Sequence, residues 1–153
     1  WPLEQAFRAQ IDELSLGEYV FLMGPMTNAE VRAQMSKSYV FALACVNETE
    51  GGADNLPTVL MEAMDVGLPV ISTRVAGVPE MVDDGKTGFL VSERDPKALA
   101  EGLQALLLDQ SMARAMGEEG RKLAKIRFSL RCTVDQLLML FNRYGVSNVF
   151  SRE

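Results

Sequence analysis

Two carboxylates, Asp54 and Glu62, stand with seven residues between them in Asp54-Asn-Leu-Pro-Thr-Val-Leu-Met-Glu62. A helix is expected to start between them, and an apolar stretch, Val70-Ile-Ser-Thr73, follows. A helix N-terminus offers free N–H groups and partial positive charge, which together seat a phosphate. If that phosphate is a leaving group, the same seat stabilises the charge that builds as the bond breaks. Pro57 removes one donor there, so Asn55, Leu56 and Thr58 would supply the amides. Glu62 lies about 7 Å along the axis from Pro57 at ~1.5 Å per residue, a step that suits a ribose beyond a diphosphate. Its carboxylate can accept both ribose hydroxyls, through bonds of about 1.5–3 kcal/mol each. Asp54, just ahead of the helix, can hold sugar hydroxyls near a reacting carbon. Acid, helix start, acid is therefore an arrangement that can grip both ends of a nucleotide-sugar. The plainer alternative makes Asp54 a capping acid and Glu62 a solvated flank residue. Spacing alone favours it, because two acids on one helix are common.

The elements that must position these residues follow from the pattern of apolar residues. Leu3, Phe7, Ile11 and Leu14 recur at helical spacing and predict a helix over 3–15. Tyr19–Met23 and Tyr39–Cys45 are unbroken apolar runs, which suit strands of a parallel sheet covered on both faces. Asn28 is expected to cap a helix that runs to Ser38. The helix carrying Glu62 is expected over 56–66, with Pro57 in its first turn and Gly67 as its stop. Leu56, Val59, Leu60, Ala63 and Met64 form its apolar stripe, Thr58 and Glu62 share a flank beside that stripe, and Asp65 lies opposite, in solvent. Strands at 70–73 and 89–91 bracket a short helix from Gly77 and a turn over 84–88. Helices are predicted over 96–108, 110–126 and 129–144, the first behind an Asp95-Pro96 start and the last capped by Ser129. Residues 146–153 read as a tail. Strands alternating with helices predict an α/β fold, a Rossmann-like doubly wound parallel sheet. The loop over 46–55 leaves the C-terminal end of a strand, where such sheets bind ligands.

Composition narrows the function classes. The 153 residues carry a net charge of −6 with a pI near 4.8, which argues against nucleic acid as a partner. The chain has no His and no Cys-x-x-Cys pair, so zinc is not expected and no metal ligand is assigned. Without His, a Ser-His or Cys-His nucleophile is excluded within this chain. Cys45 and Cys132 are expected to be buried thiols in a reducing compartment. No apolar run approaches the ~20 residues that span a bilayer.

Residues 54–91, DNLPTVLMEAMDVGLPVISTRVAGVPEMVDDGKTGFLV, resemble the donor-binding domain of retaining glycosyltransferases of the GT-B fold, in particular the bacterial exopolysaccharide and colanic-acid type. The resemblance extends over about 2–144 and rests on an ordered set: acid, seven residues, Glu-Ala-Met, Gly-x-Pro-Val, Gly-Val-Pro-Glu and Asp-Gly-x-x-Gly. It implies that Asp54 contacts the donor sugar and takes the catalytic position, where the family usually has Glu. It implies that Asn55, Leu56 and Thr58 meet sugar and diphosphate, and that Glu62 binds the ribose. The loop around Gly24 and Met26 resembles the family's base-edge loop. The substrate would be a nucleoside-diphosphate sugar, with no cofactor and no bound metal, and the product would keep its anomeric configuration.

The family's diphosphate-binding Arg and Lys, a leading strand and the acceptor domain find no match in these residues. The chain is therefore expected to be the C-terminal donor half of a longer enzyme and inactive alone. The acceptor would be a glycan or a lipid-linked glycan, with peripheral membrane contact an option and a cytoplasmic location expected. Lys122, Lys125, Arg127 and Arg131 read as a solvated helix face. Apolar residues on the last helix, including Leu137, Leu138, Leu140 and Phe141, are expected to remain partly uncovered. The competing readings are a non-catalytic α/β binding or scaffold domain and half of a nucleotide-sugar epimerase. A dinucleotide oxidoreductase is disfavoured, since no Gly-x-Gly-x-x-Gly follows a strand.

Overall fold

Val70–Thr73 forms the middle strand of a three-stranded parallel sheet, and all four of its residues are buried. It appears in a computed structural model that describes residues 3–47 and 56–144. The strands are β1 (Phe41–Leu43), β2 (Val70–Thr73) and β3 (Gly88–Val91), in the order β1-β2-β3. Phe41 pairs with Val70, which in turn pairs with Gly88. The hydroxyls of Ser72 and Thr73 donate to the carbonyls of Leu43 and Cys45, each at 2.6 Å. These two bonds let polar side chains sit in the core and lock β2 to the exit of β1.

The helices are α1 (Glu4–Glu13), α2 (Asn28–Met35), α3 (Thr58–Asp65), α4 (Val78–Met81), α5 (Pro96–Leu108), α6 (Gln110–Arg127) and α7 (Leu130–Arg143). α3 packs on β1 and β2, and α5 on β2 and β3. α6 bridges α3, α5 and β3. Glycines make these contacts close. A Cβ on Gly102 of α5 would lie 2.4 Å from the Ile71 side chain, and one on Gly117 of α6 would lie 2.1 Å from the Gly67 carbonyl. The core holds Leu60 and Met64 of α3, Val70 and Ile71 of β2, Met81 of α4 and Leu106 of α5.

Helix ends follow local chemistry. Asp95, Asp109 and Ser129 each accept a backbone N–H three residues on, starting α5, α6 and α7. α3 ends in a Schellman motif: Gly67 has φ +85°, its N–H reaches the Met64 carbonyl and the Leu68 N–H reaches that of Ala63. The chain divides into two compact units, 1–31 and 32–153. The first holds α1 and the loop beyond it, where Ser15 takes the left-handed position at the end of α1.

Several expectations are corrected. Tyr19–Met23 is not a strand: Tyr19 is 75% and Phe21 70% exposed. A strand needs a hydrogen-bonded neighbour, and no described strand pairs with this run. β1 keeps only three residues of the seven predicted. α2 is capped by Thr27 rather than Asn28, through a reciprocal box in which Glu30 Oε2 accepts the Thr27 N–H at 2.7 Å and Thr27 Oγ1 accepts the Glu30 N–H at 3.3 Å. Pro57 precedes α3 as its N-cap, so the helix starts at Thr58. Leu56 is exposed and does not join the apolar stripe, because it lies ahead of the helix. Cys45 and Cys132 are half-buried rather than buried. No residue of α7 is buried, so its apolar side chains remain uncovered among the described residues. No described helix is long and apolar enough to cross a membrane.

Candidate functional site

Thr58 and Glu62 are four residues apart on α3, so they rise on one side of the helix. Both are exposed, and neither side chain makes a hydrogen bond or ion pair with the described residues. Leu60, Ala63 and Met64 hold the opposite side against the core with no measurable exposure, which fixes the direction of the Thr58–Glu62 flank. Glu62 is thus exposed, on a flank that the buried stripe holds outward.

Among the described residues the start of α3 carries no side-chain cap. Its N-cap is Pro57, which has no side-chain acceptor, and no side-chain cap bond is made. Backbone N–H groups of the first turn have no partner within the helix. The Leu60 N–H alone turns back, to the Pro57 carbonyl at 3.0 Å. α5, α6 and α7 close their first turns with Asp95, Asp109 and Ser129, whereas the first-turn donors of α3 meet no side-chain acceptor among the described residues.

A cleft of about 330 Å³ runs along this flank. Thr58, Met61 and Glu62 form one wall, and Lys125, Phe128 and Ser129 at the α6–α7 junction form the other. Arg32 of α2 and Asp65 of α3 bound it and pair with each other at 3.0 Å. Asp65 was expected opposite the apolar stripe, in solvent. It is instead half-buried, lines the same cleft as Glu62, and through its pair with Arg32 holds α2 to α3. The basic residues of α6 are likewise more than a solvated face. Lys125 lines the cleft, while Arg127 donates to the Glu80 carbonyl and the Asp83 carboxylate, each at 3.3 Å. Sequence spacing could not reveal these residues, because they meet α3 only through long-range packing.

The remaining candidates stand elsewhere. Asp54, Asn55 and the rest of 48–55 lie outside the described residues. Leu56, the first residue after that gap, is exposed. Gly24, with φ +68°, and half-buried Met26 lie in the first unit, whereas Thr58 and Glu62 lie in the second. Among the described residues no three His, Cys, Asp or Glu side chains cluster as a metal site.

The sheet's C-terminal edge is tied together next to the 48–55 segment. Glu93, just past β3, accepts the Asn47 N–H at 2.8 Å. Asp84 accepts the Leu90 N–H at 2.8 Å and also pairs with Arg74, the residue that leaves β2. These contacts fix where the exits of all three strands begin.

Comparison with known proteins agrees with this architecture. The putative colanic acid biosynthesis glycosyltransferase WcaL of Salmonella typhimurium is 40% identical over 102 residues, covering 67% of this chain and 25% of that protein. The matched part therefore spans about a quarter of that relative's length. Sucrose-phosphate synthase from Thermosynechococcus elongatus superposes with a TM-score of 0.78 at 27% identity, covering 93% of this chain and 34% of that one. Anabaena HepE, solved in complex with UDP-glucose, superposes at 0.76 with 22% identity, over 91% of this chain and 36% of its own, and shares the fold. These neighbours are GT-B glycosyltransferases, whose α/β architecture with a parallel sheet this chain adopts. Residues 1–123 match the family described as glycosyl transferases group 1, and the chain belongs to that family.

Proposed function

We propose that this chain is the nucleotide-sugar-binding part of a glycosyltransferase that moves a sugar from a nucleoside diphosphate to a glycan or lipid-linked acceptor. The observation that carries the reading is α3 itself: an N-terminus without a side-chain cap among the described residues, followed by Thr58 and Glu62 on one exposed flank. In the proposed complex the diphosphate sits at the start of α3, against the amides of Asn55, Leu56 and Thr58, since Pro57 has no N–H to offer. Glu62 accepts the ribose hydroxyls. Asp54, one residue before Asn55, holds the donor sugar. The bond between the anomeric carbon and the diphosphate breaks, an acceptor hydroxyl bonds to that carbon on the same face while its proton passes to the departing diphosphate oxygen, and configuration is retained. Charge collecting on the leaving diphosphate is met by the N-terminal dipole of α3, which needs no metal or cofactor for that role.

WcaL is about four times as long as the region matched here, so transfer is assigned to a longer protein and donor binding alone to these residues. The proposed location is cytoplasmic, at the inner membrane face where a lipid-linked acceptor would be met.

An amide-resolved NMR titration with UDP, GDP and ADP tests the reading. Saturable shifts at Thr58 and Glu62 for one of the three support it and name the base. Shifts for none of them at millimolar concentration overturn it in favour of a binding or scaffold domain that does not use nucleotides.

A further inference from the structure

The cleft beside α3 contains four charged side chains, and only two of them are paired. Arg32 and Asp65 neutralise each other at 3.0 Å. Glu62 on the α3 wall and Lys125 on the α6 wall have no partner among the described residues and do not pair with each other. Among the described residues the cleft thus carries one open carboxylate and one open ammonium, with Met61 and Phe128 in its apolar lining. Its volume, about 330 Å³, falls in the ~300–1,000 Å³ range of small-molecule sites. Ser129 is already engaged, because its hydroxyl accepts the Cys132 N–H at 3.2 Å and starts α7.

A ligand that satisfies both open charges offers hydrogen-bond donors to the carboxylate and an anion to the ammonium, and the ribose hydroxyls and phosphate of a nucleotide do both. We infer that Lys125 is a second phosphate-binding residue of the donor site, reaching across the cleft to a nucleoside diphosphate whose ribose is held by Glu62. This rests on the reading of α3 as a nucleotide site. The α6–α7 junction then forms the far wall of that site, and the apolar side chains displace water and strengthen both charged contacts. Phe128 is the C-cap of α6 and Ser129 the N-cap of α7, so the two helix ends fix where Lys125 starts from. Lys125 is exposed and makes no side-chain bond among the described residues, so replacing it leaves the fold intact.

The test titrates the chain with a nucleoside diphosphate and with its nucleoside, UDP against uridine or the GDP and ADP counterparts, in the wild type and in Lys125→Ala, Lys125→Arg and Glu62→Gln. Lys125→Ala is expected to weaken the diphosphate about threefold to tenfold and leave the nucleoside unchanged, with Lys125→Arg recovering most of the loss. Glu62→Gln should weaken both ligands. If Lys125→Ala leaves diphosphate affinity intact while Glu62→Gln lowers it, the role of Lys125 falls and the donor site stands. Equal weakening of diphosphate and nucleoside by Lys125→Ala overturns the phosphate contact. Absence of binding by every nucleotide in the wild type removes both readings.

Discussion

The carboxylate of Glu93 accepts the backbone N–H of Asn47, with Oε2 2.8 Å from the nitrogen. Asn47 is the last described residue before 48–55, and Glu93 follows β3 by two residues. The exit of β3 therefore anchors the start of the segment that carries Asp54 and Asn55. Glu93→Ala removes that anchor while leaving the core untouched, and donor affinity should fall severalfold. Glu93→Gln keeps an acceptor oxygen and should restore most of it. Amide exchange at Asn47 provides an independent readout: it should accelerate in Glu93→Ala and stay slow in Glu93→Gln. Unchanged exchange in Glu93→Ala would show that the bond does not hold the loop.

Glu62 separates binding from folding. Its side chain is exposed and bonds to no described residue, so Glu62→Ala should leave the melting temperature within about a degree or two. Loss of charge-assisted hydrogen bonds to a ribose, about 1.5–3 kcal/mol, corresponds to a tenfold or greater loss of donor affinity. Calorimetry and thermal unfolding on the same preparation give both numbers. A melting temperature that drops with no change in affinity would make Glu62 structural.

The parts of this arrangement legible in sequence are those set by short-range chemistry. Asp95-Pro96 and Ser129 announce helix starts through side chains that can reach only N–H groups three residues away. Gly67 announces a stop because a left-handed residue ends a helix and glycine adopts it without strain. The Thr58–Glu62 flank follows from helical spacing alone. What escaped depends on distant partners. Tyr19–Met23 has strand composition but finds no described neighbour. Asp65 and Lys125 are unremarkable on their own helices and acquire meaning only where α2, α3 and the α6–α7 junction meet. The Thr27–Glu30 box was present as a pattern, yet Asn28 beside it is an equally good capping residue, and only geometry decides between them.

Gly88 and Gly117 fix backbone approaches that no side chain can share. A Cβ at Gly88 would stand 2.0 Å from the Val70 carbonyl oxygen, and one at Gly117 would stand 2.1 Å from that of Gly67. Both neighbours are backbone, which cannot rotate aside. Alanine at either position should cost about 1–3 kcal/mol or more, seen as a melting temperature lower by several degrees. Gly17 has nothing within 4 Å of its Cβ position, so Gly17→Ala should be neutral or slightly stabilising. Equal melting temperatures for all three variants would refute the packing of β3 on β2 and of α6 on the α3–β2 turn.

Asp109 and Glu30 tie helix starts to pH. The Met112 backbone N–H, and then the Ser111 hydroxyl, hold the Asp109 carboxyl below its ordinary value. The Thr27 backbone N–H, and then the Thr27 hydroxyl, do the same for Glu30. A carboxyl whose value is lowered by folding contributes stability that is fully present above its unfolded value, ~4, and is lost as pH falls through the lower folded value. Acidification from neutral should therefore release the starts of α6 and α2. Asp109→Asn keeps an acceptor oxygen and removes the charge. It should melt below the wild type at neutral pH, and the gap should narrow once the pH falls below the folded value of Asp109. Melting curves of the two proteins across that range decide the matter: a gap that stays constant with pH would mean that the charge of Asp109 contributes nothing to the start of α6.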